Sequence, residues 1–346
     1  MKPLISLLMA FSLFGLFSCK AAYRNLDVQG FSEAVSAGAA LIDVRTSEEY
    51  GEGHLRGAVN VDASSADFLT RVESLYGKSD PVYVYCRSGR RSADAAARLS
   101  KAGYQVVNLK GGILAWTEAG NPVTAYEAER FLTPGGHPVQ ITLIKHASLE
   151  IRYAGLSIQV DPVLDLGRPT DYAAEFPKAD YILVTHEHGD HFDQGAIDVL
   201  RKEGTTVVTN PRCGEMLGWG TVLANGDASD LAEGVHVEAV PAYNTTEGHL
   251  QFHPKGRDNG YVLTLDGLRI YIAGDTEDIP EMADLKDIDI AFLPVNQPYT
   301  MTVDQCVRAA QAVRPKVLIP YHFSQTDLSA LPDLLPGMDV RIRQMQ

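Results

Sequence analysis

A chain of 346 residues with 45% hydrophobic content is long enough for two packed domains and carries no compositional sign of disorder. Its formal charge of −14, without any Lys/Arg stripe, argues against a nucleic-acid partner, because phosphate binding needs clustered cations. Four cysteines lacking CxxC spacing argue against a disulfide scaffold.

The opening stretch MKPLISLLMAFSLFGLFSCK places Lys2 before an apolar run from Pro3 to Phe17, then Ser18 and Cys19. That run is short for a membrane span and has the layout of an export signal over residues 1–19. A small residue before cysteine resembles the lipobox of bacterial lipoproteins, although Phe17 departs from the small residues usual there. The resemblance implies an exported chain held in the bacterial cell envelope, at the periplasmic side or outer membrane, with lipidated Cys19 its only membrane contact.

Over residues 23–124 strand and helix patterns alternate. ALIDVR, PVYVYC and YQVVNLK read as strands, and TSEEYGEG, RRSADAAARLSKAG and GGILAWTEAG as helical, which predicts a parallel α/β sheet. CRSGRRS, Cys86 to Ser92, leaves a strand and opens a helix, so its amides sit at the positive end of the helix dipole. That dipole, with the guanidinium groups of Arg87, Arg90 and Arg91, favours the thiolate of Cys86, the nucleophilic form.

With LIDVRTSEEYGEGHLRGAVNV ahead and LKGGILAW behind, the segment resembles the rhodanese family. The resemblance implies a sulfurtransferase in which Cys86 takes a sulfane sulfur from a donor and passes it to a thiol or cyanide acceptor. Arg87 and Arg91 would assist anion binding, and Arg90 is a further substrate-binding candidate. The short loop from Cys86 through Arg91 is similar to sulfurtransferases rather than to the related phosphatases. Asp43, Arg45 and His54 match framework positions and read as structural.

Residues 125–138, including the turn-rich TPGGHP, read as a linker. From 139 to 346 the grammar becomes that of consecutive strands, with reversals at Ala154-Gly155 and at Asp266-Gly267, the latter a strong hairpin signal. Helical patterns intervene from Gln194 to Glu203 and from Asp304 to Arg314. Two hairpin-rich sets of strands, each with helices, suggest a layered α/β sandwich with internal pseudo-symmetry, although no sequence repeat accompanies it. Cys213 and Cys306 fall in helical patterns and read as buried small hydrophobes.

HEHGDH follows the apolar YILVT. His186 and His188 alternate as the strand runs out, so both rings can face one side, while Asp190 and His191 turn back from the loop. Imidazole and carboxylate together suit zinc, iron or manganese, as one ion or two. The segment resembles the HxHxDH signature of the metallo-β-lactamase fold, and the resemblance runs from about Gln140 to His322.

It implies an αββα sandwich and a metal-dependent hydrolase, with zinc the leading ion. Asp275, in YIAGDT, matches the carboxylate that bridges two metals, and His322, in IPYHF, matches the final histidine ligand. Where many members place a histidine after VHVEAVPA, this chain has Tyr243, and its nearest histidines are His249 and His253. AYN, FHPKG and GYV resemble a branch related to ascorbate-6-phosphate lactonases, in which His253 would supply the ligand from a loop. His146, in IKHAS, either contacts substrate or caps its strand, whereas His137 and His236 read as surface or strand positions.

Two ions sharing Asp275 would lower the pKa of a bridging water from 15.7 toward about 7, with Asp190 accepting its proton as well as ligating. The leading expectation is hydrolysis of a small ester, lactone, phosphoester or amide. Persulfide dioxygenation at one iron is a second reading, since such enzymes also join these two modules. The order of the modules here, GDT and the missing GHTPG-like motif oppose it. A third makes the chain a sulfur or oxyanion sensor joined to a binding scaffold.

Overall fold

The computed structural model describes residues 23–36 and 39–345, so the expected export signal and Cys19 lie outside the described residues. Among those described, no helix is long and apolar enough to cross a membrane.

The first sheet comprises β1 (Arg24–Leu26), β2 (Ala40–Asp43), β3 (Val59–Asn60), β4 (Val82–Tyr85) and β5 (Val106–Leu109), all parallel, in the order β1-β5-β4-β2-β3. Every residue of β2 and β5 is buried, as strands covered on both faces require. Val84, Ala96 and Leu99 pack on one face and Leu41, Tyr85 and Trp116 on the other. Central β4 ends at Tyr85, which delivers Cys86 to the edge where the helix Arg90–Lys101 begins.

The second sheet runs β12-β11-β10-β9-β8-β7-β6 and comprises β6 (Ala128–Leu132), β7 (Pro138–Lys145), β8 (Ser148–Tyr153), β9 (Leu156–Val160), β10 (Tyr181–Val184), β11 (Thr206–Thr209) and β12 (Thr221–Val222). The third runs β13 to β19 in sequence order: β13 (Ala228–Ala232), β14 (Val235–Ala242), β15 (Asp258–Leu265), β16 (Leu268–Ile272), β17 (Ile290–Pro294), β18 (Val317–Tyr321) and β19 (Asp339–Val340). Each starts as an antiparallel meander and finishes parallel, with the change at β9 in one and β16 in the other. The pseudo-symmetry is therefore one of topology. It survives without a residue repeat because alternation of apolar positions, rather than identity, holds a strand in place.

Leu143, Ile151 and Val160 meet Leu263, Ile270 and Phe292 between the sheets. On the outer faces, Ile197 of the helix Gln194–Leu200 covers Ile182, and Ala309 and Val313 of the helix Val303–Val313 cover Leu293 and Leu318. The four layers are those of an αββα sandwich. Asp266 and Gly267 both have positive φ, 46° and 84°, the backbone that a two-residue hairpin turn between twisted strands needs.

The expected linker is corrected in part. β6 lies inside 125–138 and pairs antiparallel with β7 from Ala128 opposite Thr142 to Leu132 opposite Pro138. TPGGHP closes this hairpin instead of separating two units, and the buried Glu129 of β6 pairs with Arg341 and Arg343. The two domains also meet through buried contacts. Both ring nitrogens of His54 lie 3.0 Å from carbonyl oxygens, those of Tyr50 and Tyr126, and Arg56 stacks 3.9 Å above the Phe176 ring while pairing with Glu150.

Candidate metal centre and cysteine loop

Loops leaving several strands of the sandwich converge at one edge. β10 leads into His186 and His188, the turn after β7 carries His146, β16 leads to Asp275 and β18 to His322. His146 and His322 both hold left-handed backbones, φ 49° and 47°, and the His322 amide donates to the His146 carbonyl at 3.0 Å. Such strain in non-glycine residues persists where the surroundings over-determine it.

The ligand atoms of His186, His188 and His253 lie within 4.8 Å of one another, as do those of His146, Asp190, His191 and His322. Asp275 stands between the two groups. Its Oδ2 lies 3.4 Å from His253 Nε2, 3.2 Å from His322 Nε2 and 3.9 Å from His186 Nε2, and its Oδ1 lies 3.3 Å from His191 Nε2. Every residue expected from the sequence to ligate a metal is thus in one pocket. His146 joins the second group, its ring tilted over that of His322 at 3.7 Å and its Nε2 3.1 Å from Asp190 Oδ2.

Tyr243, which occupies the usual histidine position, turns away. Its hydroxyl donates to Glu281 at 2.7 Å and accepts from Lys255 at 3.0 Å. The loop beyond it brings His253 beside His186 and His188. That loop is pinned by the fully buried Glu277 carboxylate, which accepts from the amides and hydroxyls of Thr245 and Thr246 at 2.7–2.8 Å, and by the Asn244 amide, which donates to the His253 carbonyl at 2.8 Å. His249 instead faces Glu277 at 3.4 Å.

Sequence reading missed the residues behind the ligands. Buried Asp161, just past β9, lies 2.8 Å from His191 Nδ1 and accepts from the Thr185 amide and hydroxyl at 2.8 and 2.7 Å. Asp258, at the head of β15, lies 2.9 Å from His253 Nδ1. Carboxylates in this position fix the tautomer and aim the other ring nitrogen. The only local signals were an aspartate at a strand end in each case, common in turns.

The donor set fits a cation. Among the described residues, buried His191 Nε2, His322 Nε2 and Asp275 Oδ1 have no hydrogen-bond partner, although buried polar atoms in folded proteins normally do. Burial would raise the Asp275 carboxyl, but His322 and His191 outweigh it and hold it well below the usual range. Burial likewise opposes charge on His322, yet Asp275 and Asp190 push its pKa up to about 9. Protons on these rings thus sit where positive charge is demanded.

A model of the beta-lactamase superfamily domain matches residues 140–322, more than half of the chain. The chain belongs to the beta-lactamase superfamily. Superfamily members named UPF0173 metal-dependent hydrolase include one from Ligilactobacillus salivarius, 34% identical over 197 residues, 54% of this chain and 85% of that protein. Another, from Bacillus pumilus, is 31% identical over 56% of this chain and 91% of its own. A crystal structure from Parabacteroides distasonis, assigned as a metal-dependent hydrolase, is 55% identical with a TM-score of 0.62, covering 64% of this chain and all of that one. This superfamily member additionally carries a rhodanese-like domain, matched over residues 27–119.

In the rhodanese-like domain, Cys86 is buried, its sulfur 3.2 Å from the Gly89 amide and 3.4 Å from the Ser92 hydroxyl. Burial would raise the thiol pKa, but the Ser92 hydroxyl and the amides of Ser92, Ser88 and Gly89 lower it overall. Gly112 stays small because a Cβ there would stand 2.4 Å from the Cys86 carbonyl. The arginines divide. Arg87 and Arg90 are exposed, whereas Arg91 makes a two-pronged pair with Glu49 at 2.7 and 2.6 Å. Glu49, on the helix Ser47–Gly51, thus holds Arg91, whose guanidinium also interacts with Cys86. Asp43 and Arg45 pair at 2.6 Å and, with His54, frame the domain.

Proposed function

We propose that the chain hydrolyses a small ester, lactone or phosphoester using one or two divalent ions, zinc foremost, held by His186, His188, Asp190, His191, His253, Asp275 and His322. The observation that carries this reading is Asp275 between two histidine groups, with its Oδ1 and the Nε2 atoms of His191 and His322 buried without a hydrogen-bond partner among the described residues. Divalent ions bound there supply Lewis acidity and a water that ionises near neutral pH. Asp190 would orient that water as a carboxylate: His146 Nε2 at 3.1 Å and His322 Nε2 at 3.5 Å from its Oδ2 outweigh burial and keep it ionised. His146 and the partly exposed edge of Asp190 meet the substrate at the mouth of the pocket.

In the second activity, the Cys86 thiolate attacks the sulfane sulfur of an anionic donor, forming a persulfide as the donor's remaining sulfur anion leaves. A thiol or cyanide acceptor then takes the outer sulfur and restores the thiolate. Exposed Arg87 and Arg90 receive the donor anion, and Arg91, steadied by Glu49, keeps the loop in place. The leader supports export and anchoring through a lipid on Cys19.

Protein purified from zinc-rich and iron-rich media should undergo elemental analysis, followed by assays with p-nitrophenyl esters, lactones, phosphodiesters and glutathione persulfide. Zinc-supported hydrolysis is expected. Iron with rapid oxygen uptake on the persulfide would replace hydrolysis by dioxygenation.

A further inference from the structure

The two halves of the metal centre are built differently. His191 and Asp190 lie beside each other in the chain, and Asp161 aims His191 from the neighbouring strand end. The half formed by His186, His188 and His253 instead joins a strand exit to a loop, so its third imidazole is only as well placed as that loop.

One side chain spans the joint. Arg257 donates from Nε to Asp258 Oδ1 at 2.6 Å and from Nη2 to Asp258 Oδ2 at 2.9 Å, and Asp258 is the carboxylate facing His253 Nδ1. Nη2 also donates to the carbonyl of Phe252, the residue before His253, at 2.7 Å. On its far side Nη1 lies 3.2 Å from Oε1 of Glu187, the residue between His186 and His188. The other Glu187 oxygen is buried without a partner among the described residues, so Arg257 supplies the countercharge of that carboxylate. The pair is largely shielded, with side-chain exposures of 28% and 16%.

We infer that Arg257 is a positioning residue that clamps the His253 loop onto the HEHGDH segment and thereby sets the ion affinity of the His186/His188/His253 half alone. The inference rests on the metal-dependent reading above. The planar fork matters, because a lysine ammonium presents its donors from one point and cannot engage Asp258, the Phe252 carbonyl and Glu187 together.

Zinc and cobalt(II) titrations of the full chain test it, with ion content and the visible cobalt spectrum as readouts. Wild type is expected to take up two ions. Arg257→Met should weaken one of them by about 10–100-fold, the usual cost of losing a group behind a metal ligand, leave the other unchanged, and alter the spectrum of the weakened ion only. Arg257→Lys and Glu187→Gln should weaken the same ion, and they carry the test if Arg257→Met fails to fold. Two ions bound as in wild type by these variants, or both weakened alike, would overturn the assignment while leaving the hydrolase reading intact. A wild-type protein that takes up no ion would overturn both.

Discussion

His253 Nε2 lies 3.4 Å from Asp275 Oδ2, while the Tyr243 hydroxyl, on the strand exit where the superfamily usually keeps a histidine, is bonded 2.7 Å away to Glu281. The loop histidine stands with His186 and His188, and the tyrosine hydroxyl is engaged by Glu281 and Lys255. His253→Ala should therefore lose one ion and lower hydrolysis by more than about 100-fold, beyond the range for supporting residues; His188→Ala should match it. Tyr243→Phe should keep its ions and lose about 1 kcal/mol of stability. Elemental analysis checks all three, and a His253→Ala protein with full ion content would remove His253 from the ligands.

Asp161 supports the other half. Asp161→Asn should weaken ion binding there by about 10–100-fold, because a neutral amide holds the His191 Nδ1 hydrogen less strongly than the carboxylate now 2.8 Å away. Calorimetric titration beside wild type measures this, and equal affinities would remove Asp161 from the support.

Ion uptake should depend on pH in a definite direction. His322 in the ion-free pocket has its pKa raised to about 9 by Asp275 and Asp190 against the effect of burial. Below that pH an entering ion must displace the proton, so affinity should climb as pH rises toward about 9. Titrations in buffers of different ionisation enthalpy should reveal the released proton. Affinity that stays flat from about pH 6 to about pH 9 would contradict the competition.

Cys86→Ser should abolish thiosulfate sulfurtransfer and leave ion content as in wild type. The Ser92 hydroxyl, 3.4 Å from the sulfur, helps lower the thiol pKa against burial. A lowered thiol pKa means that thiolate persists to more acidic pH, so iodoacetamide should still react with Cys86 where an ordinary cysteine has become protonated and slow. Ser92→Ala should move the midpoint of that reaction to higher pH; a downward move would show that Ser92 is not a donor to the thiolate.

Arg56 joins the two domains through the Phe176 ring and the Glu150 carboxylate. Arg56→Ala leaves Glu150 buried without that cation, and should lower stability by about 2 kcal/mol. The midpoint of urea unfolding reads the change. An unchanged midpoint would mean that the contact contributes nothing to holding the domains together.

HEHGDH, the Asp266-Gly267 reversal and the strand leading into Cys86 were legible in the residues themselves because each depends on spacing within a few positions: alternation along a strand, positive φ at a turn, amides at the start of a helix. The hairpin around TPGGHP was less plain, since a turn-rich stretch reads alike whether it parts two units or closes two strands. Asp161, Asp258, Arg257 and Glu277 carried no legible role, because acids and arginines near strand ends are common and their partners lie far along the chain. The pairing of β9 with β10 brings Asp161 to His191, and the start of β15 brings Asp258 to His253. Which imidazoles share a strand end is a matter of short-range periodicity; which carboxylate aims each of them depends on the order of strands in the sheets, set by burial of both apolar faces.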